Sequence, residues 1–443
     1  MAQPAGARGD QGAAHCGSRG RGPAVLGGAP MNGAAHDTRE RALPSRMKEI
    51  GMTPHCRRGL QAVAGAMTAA CLIALAGCSS SSGSGSGEAD RGAASAAQER
   101  LDALYTGTYQ DPPATAPSPQ AGKKVWIISY LQAYSASAAT AAAAESAATG
   151  LGWDATVFDA QANPAKAVDG IRQAVSAGAD VIMSIYLDCD AIKAGLIAAR
   201  DAGIARVAVE SQDCADQQLF DNVVGYEPGT YDDNDGAFLN WIAGWQSALA
   251  DYVIAKTDGA ARVVEFAETD SAAVLSQHEG FTKQIQTCKG CEVVASVEFT
   301  AADIGPALQQ KAQQAFLQHP DLNAVVVPAD AVLTGGVLAA IKSAGLYGKV
   351  LIAGGEGGPD VMPMLKSYDG DWAVNALPVA WEGWQSMDAA NRILSGEDPV
   401  ASSGIGYQIV DTDHNLPDGD QALPTRDGEP IDFAGLYRKA WGK

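Results

Sequence analysis

A chain of 443 residues, 47% hydrophobic and 19% charged, exceeds the size at which one core stops growing, so two domains are expected. Its net charge is -20, and the nine Lys/Arg and four Asp/Glu before Cys78 leave the remainder near -25. That balance excludes a phosphate-backbone binder, so no nucleic-acid partner is expected, and it disfavours electrostatic adhesion to anionic lipid.

Residues 1–46 are Gly- and Arg-rich without an apolar period, and Met47 or Met52 is the expected start. Lys48, Arg57 and Arg58 then precede the apolar run Gly59 to Leu75, the layout of a secretory signal. A transmembrane helix is the rival, but the run is short of the roughly 20 apolar residues a span needs and is loosened by Gly65. Leu75-Ala76-Gly77-Cys78 resembles the lipobox of bacterial lipoproteins. The resemblance implies removal of residues 1–77 and diacylation of Cys78, and two acyl chains suffice for stable anchoring. Ser and Gly dominate 79–87, and Ala and then Pro dominate 88–122. Residues 78–122 are therefore read as a disordered tether with at most a short helix, and folding is expected from Lys123.

From Lys123 apolar strands alternate with amphipathic helices: strand 125–128, helix 136–151, strand 155–158, a helix opened by Pro164, strand 180–185, helix 191–202, strand 206–209 and a fifth strand at 222–225. A long helix over about 233–256 places Phe238, Trp241, Trp245, Leu249 and Tyr252 on one stripe, read as core. A second series follows, with strands at 263–266, 292–299, 324–327 and 350–353 and helices at 273–287, 306–318 and 333–344. Strand 372–377, helix 379–394, strand 404–410 and helix 432–441 are left over. The pattern predicts an α/β protein with two doubly wound parallel-sheet lobes. The remaining elements are expected to complete both, giving lobes of 123–258 plus 378–403 and 259–377 plus 404–443.

After residues 1–77 and Cys78, four cysteines remain. An even number in an exported chain suggests two disulfides, with Cys288 paired to Cys291 across a turn-like spacing and Cys189 to Cys214 by elimination. A redox motif or half a zinc site is the rival for Cys288-Lys289-Gly290-Cys291, but no second pair of suitable spacing accompanies it.

Open parallel sheets bind ligands beyond the carboxyl ends of their strands. That rule selects Tyr130, Gln132 and Tyr134 after the first strand, Asp188 and Asp190 after the third, and Glu210, Ser211 and Gln212 after the fourth. In the second lobe it selects Glu268, Thr269, Asp270, Asp330 and Glu356, with Asn375 and Trp381 near the returning segment. Tyr130, Tyr134, Phe281, Trp381 and Trp384 are candidate plates for an apolar ring face, with ordinary core as the alternative for each. A helix N-cap is the alternative for Asp188, Asp190 and Asp330.

Asn163-Pro164, Ala177-Gly178-Ala179-Asp180, Ala202-Gly203-Ile204, Gly280-Phe281, Val325 to Asp330, Ile352 to Gly357 and Asn391 to Gly396 occur in an order similar to the type 1 periplasmic binding proteins of the ribose- and galactose-binding group. The resemblance covers 123–443. It implies two lobes joined by three crossovers, a monomer closing on a small polar ligand, most simply a sugar, and delivery at the outer face of the cytoplasmic membrane to an ATP-driven permease within that membrane. Two departures stand out. Glu356 occupies the place of the usual Asp, and Glu210-Ser211 that of an Asp-Arg pair. Where an arginine is common before Gly280-Phe281, Gln277 and His278 stand, and His278 and Phe281 join the ligand set on this basis. An acid-rich, cation-poor pocket would also suit a cationic or amphoteric ligand. A sensing lipoprotein for a non-sugar ligand is the second reading.

No enzyme, cofactor or metal site is expected. His278, His319 and His414 are scattered, and Gly354-Gly355-Glu356-Gly357-Gly358 lacks the Lys-Ser/Thr of a phosphate loop. Asp411-Thr412-Asp413-His414-Asn415 begins like a calcium loop, but Leu416 stands where glycine is required.

Overall fold

The computed structural model describes residues 89–227 and 238–443. Cys78, the apolar run before it and the Ser/Gly tether lie outside the described residues, as does the start expected for the long helix.

The first lobe contains β1 (Lys124–Ser129), α2 (Ser135–Leu151), β2 (Asp154–Asp159), α3 (Pro164–Ser176), β3 (Val181–Ile185), α4 (Cys189–Asp201), β4 (Ala205–Val209) and β5 (Asn222–Val223), preceded in the chain by α1 (Arg91–Thr106). Its sheet is parallel in the order β2-β1-β3-β4-β5. Central β3 and β4 are buried along their whole length, as parallel strands covered on both faces require. Asn163 caps α3, accepting from Ala165 N at 2.9 Å and Lys166 N at 3.3 Å, with Pro164 at the first helical position.

The second lobe contains α5 (Phe238–Lys256), β6 (Arg262–Glu268), α6 (Ala272–Ile285), β7 (Glu292–Phe299), α7 (Pro306–Gln318), β8 (Ala324–Val326), α8 (Asp330–Val332), a π turn, α9 (Leu338–Ser343), β9 (Leu351–Ala353), α10 (Met362–Leu365) and β10 (Trp372–Ala376). The chain then runs through α11 (Val379–Leu394), β11 (Gln408–Asp411), the small ribbon β12 (Thr425–Arg426) and β13 (Glu429–Pro430), and α12 (Phe433–Ala440). The second sheet is ordered β11-β10-β9-β8-β6-β7, and only its edge strand β11 is antiparallel. Both expected disulfides, Cys189–Cys214 and Cys288–Cys291, are present.

The three expected crossovers fall between β5 and α5, β10 and α11, and α11 and β11, but the lobe boundaries differ from expectation at three places. Helix α5, expected in the first lobe, packs on the second: Asn375 Nδ2 donates to Trp245 O at 2.7 Å, and Gln246 Nε2 to Val327 O at 3.4 Å. Gly280 of α6 permits this, because a Cβ there would lie 2.1 Å from Ala243 O of α5. Helix α12, expected with the second lobe, packs on α11 of the first, through Tyr437 OH to Gln385 Oε1 (2.5 Å), Trp441 Nε1 to Asp388 Oδ1 (2.8 Å) and a Trp384–Trp441 stack.

The third difference concerns 90–122, which is ordered rather than a tether. Ala97, Leu101 and Leu104 bury one face of α1, and Arg100 forks onto Asp251 of α5 at 2.7 and 2.9 Å. The following segment runs along the hinge, with Thr108 N on Tyr407 O, Tyr109 OH on Ala376 O, and Pro117 O receiving Asn391 Nδ2. Small apolar residues at i, i+4 and i+7 were enough for a packed helix, and the prolines suit an extended strap whose carbonyls are bonded by the body. Among the described residues no helix is long and apolar enough to cross a membrane.

Candidate functional site

The carboxyl ends of the two sheets meet between the lobes. In the second lobe the turn after β9 carries Gly354, Gly355 and Gly357 with φ of 132°, 100° and 79°, a region that favours glycine. A Cβ on Gly354 would lie 2.0 Å from Val327 O and one on Gly355 2.2 Å from Asp330 Oδ1. Freed of side chains, the turn wraps its N–H groups around Asp330: Oδ1 accepts from Glu356 N at 2.9 Å and Oδ2 from Gly358 N at 2.6 Å. Glu356 reciprocates, its Oε2 accepting from Asp330 N at 2.6 Å.

From the first lobe, Tyr134 reaches across and donates its hydroxyl to Glu356 Oε1. Tyr134 also packs beside Tyr186, ring centroids 5.9 Å apart. Tyr186 and Glu210, the residues directly after β3 and β4, have φ of 59° and 47°, left-handed values that non-glycine residues seldom adopt. Such strain persists only where the surroundings impose it, and here it turns both side chains at strand ends. Tyr226 donates to Glu382 Oε1 at 2.9 Å from the first turn of α11.

Three acids, Asp330, Glu356 and Glu382, thus lie buried at the lobe junction, with Glu210 half-buried beside them. Burial first, then the neighbouring Glu382 charge, holds Glu210 well above the usual carboxylate range. Asp330 is raised in the same way by burial and Glu356, and Glu356 by burial. Burial pushes Glu382 up to about 7, and burial with Asp270 nearby pushes Glu268 at the end of β6 up to about 8. A folded-state pKa above the unfolded 4.5 contributes stability that is fully present below 4.5 and lost as pH rises through the folded value. The melting temperature of the ligand-free protein is therefore expected to fall between about pH 5 and about pH 8. Scanning fluorimetry across that range checks this, and Glu382→Gln should flatten the curve. A rise over the same window would contradict the assignment.

Of the residues selected from sequence, the structure brings Tyr134, Glu210, Asp330, Glu356 and Asn375 to the junction. Tyr130 lies half-buried at its edge, within the fields of Asp270 and Glu268 that raise its hydroxyl after burial does. Gln132 is held to its own lobe by Ser129 Oγ at 2.7 Å. Asp188 bridges the lobes at the rim, accepting from Gln212 N (2.7 Å) and from Ala272 N (3.2 Å) at the start of α6. The Cys189–Cys214 bridge pins the adjoining start of α4.

Asp190, His278, Phe281 and Trp381 do not join the cluster. Asp190 is exposed in the first turn of α4, the helix-end role weighed against it. His278 bonds Glu265 Oε1 at 2.7 Å, midway along β6 rather than at its end. Phe281 is fully buried between α6 and its neighbours, and Trp381 stacks between Tyr109 and Phe433, so both are core. Trp384 likewise stacks on Trp441. Tyr186, Tyr226 and Glu382 were missed. The strand-end rule passes over Tyr186 in favour of Asp188, although Tyr186 is the first residue beyond β3. Glu382 stands in sequence between Trp381 and Trp384 at no strand end, and nothing local marks Tyr226.

Two wound lobes with their strand ends closed on a buried polar cluster define a hinged ligand-binding protein. The chain belongs to the periplasmic binding protein family, residues 127–398 matching the profile described as periplasmic binding protein domain. The ribose import binding protein of Salmonella typhimurium is 26% identical over 274 residues, 60% of this chain and 83% of that protein. The ribose import binding protein of Escherichia coli K12 matches to the same extent. Among solved structures, the glucose-galactose binding protein of Geobacillus stearothermophilus superposes with a TM-score of 0.56 at 18% identity, covering 67% of this chain and all of that one. The binding component of the arabinose transporter of Shewanella sp. ANA-3, solved with arabinofuranose, gives 0.56 at 20% identity, with 72% and 95% covered. At these identities the structural likeness shows the fold, a type 1 pair of parallel-sheet lobes.

Proposed function

We propose that this protein is an extracytoplasmic receptor that binds a carbohydrate between its lobes and delivers it to an ATP-driven importer, held at the membrane by lipid on Cys78. The observation that carries the reading is the lobe-bridging contact of Tyr134 with Glu356, set among the buried Tyr226, Asp330 and Glu382 and the half-buried Tyr186 and Glu210. Hydroxyl-rich ligands need such convergent acceptors and donors. The sugar-binding relatives support the ligand class, and the family supports the import role. A tether would raise the receptor's effective concentration at its permease.

A thermal-shift screen of pentoses, hexoses, furanoses, polyols, nucleosides and amino acids tests the ligand class. A carbohydrate should stabilise the protein in a concentration-dependent way and be recovered unchanged. Stabilisation by nucleosides or amino acids alone would remove the carbohydrate reading. In cells, Cys78→Ser should shift the protein from the membrane to the soluble fraction, and retention at the membrane would remove the lipid anchor.

A further inference from the structure

The lobe junction contains a pair of adjoining acids, Glu210 and Glu382, that no lysine, arginine or histidine among the described residues meets. Glu382 is fully buried and its Oε1 takes the Tyr226 hydroxyl, but its Oε2 has no hydrogen bond. Glu210 lies beside it, and the buried Glu210 Oε1 has none either. Asp330 and Glu356, by contrast, are answered by the backbone and by Tyr134.

Two further acceptors are open at the strand ends of the second sheet, on groups that are not acids. Gln246, 3% exposed and bound through Nε2 to Val327 O, leaves Oε1 unpartnered. Asn375, fully buried and bound through Nδ2 to Trp245 O, leaves Oδ1 unpartnered. The donors beside the pair, the Tyr186 hydroxyl next to Glu210 and the indole N–H of Trp241, whose ring lies 4.4 Å from that of Tyr226, are neutral. Buried polar atoms left without partners are costly, and an occupant that completes them is the usual resolution.

Among the described residues, every ion pair of a lysine, arginine or histidine is made elsewhere than Glu210, Asp330, Glu356 or Glu382. The position after Glu210 supplies no cation either: Ser211 stands there, its hydroxyl engaged with Leu187 N and Val209 O. A neutral hydroxyl donates one hydrogen bond and turns its lone pairs on the remaining carboxylate oxygens. A primary ammonium donates three and brings a positive charge against which the pair can ionise.

Resting on the reading of a carbohydrate receptor, we propose that the ligand is an amino-substituted sugar or polyol. Its ammonium sits between Glu210 and Glu382, and its hydroxyls take the open side-chain amide oxygens and neutral donors. The Glu210–Glu382 pair is then what selects this ligand over its neutral counterpart.

The test is isothermal calorimetry and thermal shift on the full folded receptor with glucosamine, galactosamine and mannosamine, each against glucose, galactose and mannose, with putrescine as a sugar-free amine. At least one amino sugar should bind tenfold or more tightly than its neutral parent. Glu382→Gln should reduce that preference by tenfold or more, and Glu210→Gln provides the same measurement should the first variant melt before binding is read. Neutral sugars binding as well as amino sugars would overturn the inference and leave the carbohydrate reading standing. Putrescine binding while all six sugars fail would overturn the carbohydrate reading and with it the proposed ligand. An amino-sugar preference unchanged in both variants would overturn the role of the pair, and failure of every probe would overturn the proposal.

Discussion

Glu356→Ala is expected to abolish ligand-induced stabilisation while leaving the protein folded. The carboxylate makes two contacts that alanine cannot: it accepts the Tyr134 hydroxyl from the opposite lobe and Asp330 N from its own. Losing the second leaves a buried N–H unpaired, at a cost of about 1–3 kcal/mol. The loss is offset in part because a buried acid is removed from beside Asp330, whose own ionisation Glu356 opposes. Stability should therefore change little. Binding should not be so tolerant, because closure on a ligand needs the lobe-bridging contact and loss of a buried charged partner costs about 2–5 kcal/mol. Affinity is expected to weaken on the order of a hundredfold, read by calorimetry with whichever ligand the screen yields. Tyr134→Phe isolates the lobe-bridging half and should show a smaller loss of the same kind. Affinity within threefold of the parent in Glu356→Ala would remove this residue from the site.

Gly280→Ala is expected to have the largest effect on stability of any single methyl addition between the second-lobe helices. In an exposed helix the change would be favourable by about 1 kcal/mol. Here the added Cβ would meet the Ala243 carbonyl oxygen at 2.1 Å and its carbon at 2.7 Å, and both are backbone, so neither can rotate away. Helices α5 and α6 must separate, disturbing the Gln284–Asp251 bond between them (2.6 Å). Overpacking of this kind costs about 1–3 kcal/mol or more, which for a domain of this size lowers Tm by several degrees, at about 2–4 °C per kcal/mol. Calorimetric melting checks it. A Tm equal to or above the parent's would mean that the two helices do not approach as closely as described.

Much of this is legible in the sequence, for physical reasons that differ by element. Buried parallel strands such as Val181–Ile185 and Ala205–Val209 are continuous apolar runs, and helix starts such as Asn163-Pro164 follow from the chemistry of unpaired N–H groups. Glu356 drew notice because an acid among glycines after a strand has few bland explanations, and Asp330 lies at the end of the neighbouring strand. The packing of α1 is faint in the sequence because its buried face is made of Ala97, Leu101 and Leu104, a signal too weak to separate a packed helix from a linker. Its Arg100 gains a partner, Asp251, only 151 residues later in the chain.

What the sequence by itself determined, then, is the local grammar: which segments are strands, which residues end them, the two disulfide pairings, and an acidic, cation-poor set of strand-end side chains. Pairing and approach were decided by tertiary structure alone. Helix α5 joins the second lobe because Gly280 lets it come close, and α12 returns to the first because Tyr437 and Trp441 find partners on α11. Tyr186, Tyr226 and Glu382 enter the site because three elements distant in sequence converge there. His278 and Phe281 leave it because a helix position says nothing about which face meets a strand's middle and which its end. Local propensity reads neighbours along the chain, whereas a binding cluster is made of neighbours in space, and only the packing of the lobes supplies those.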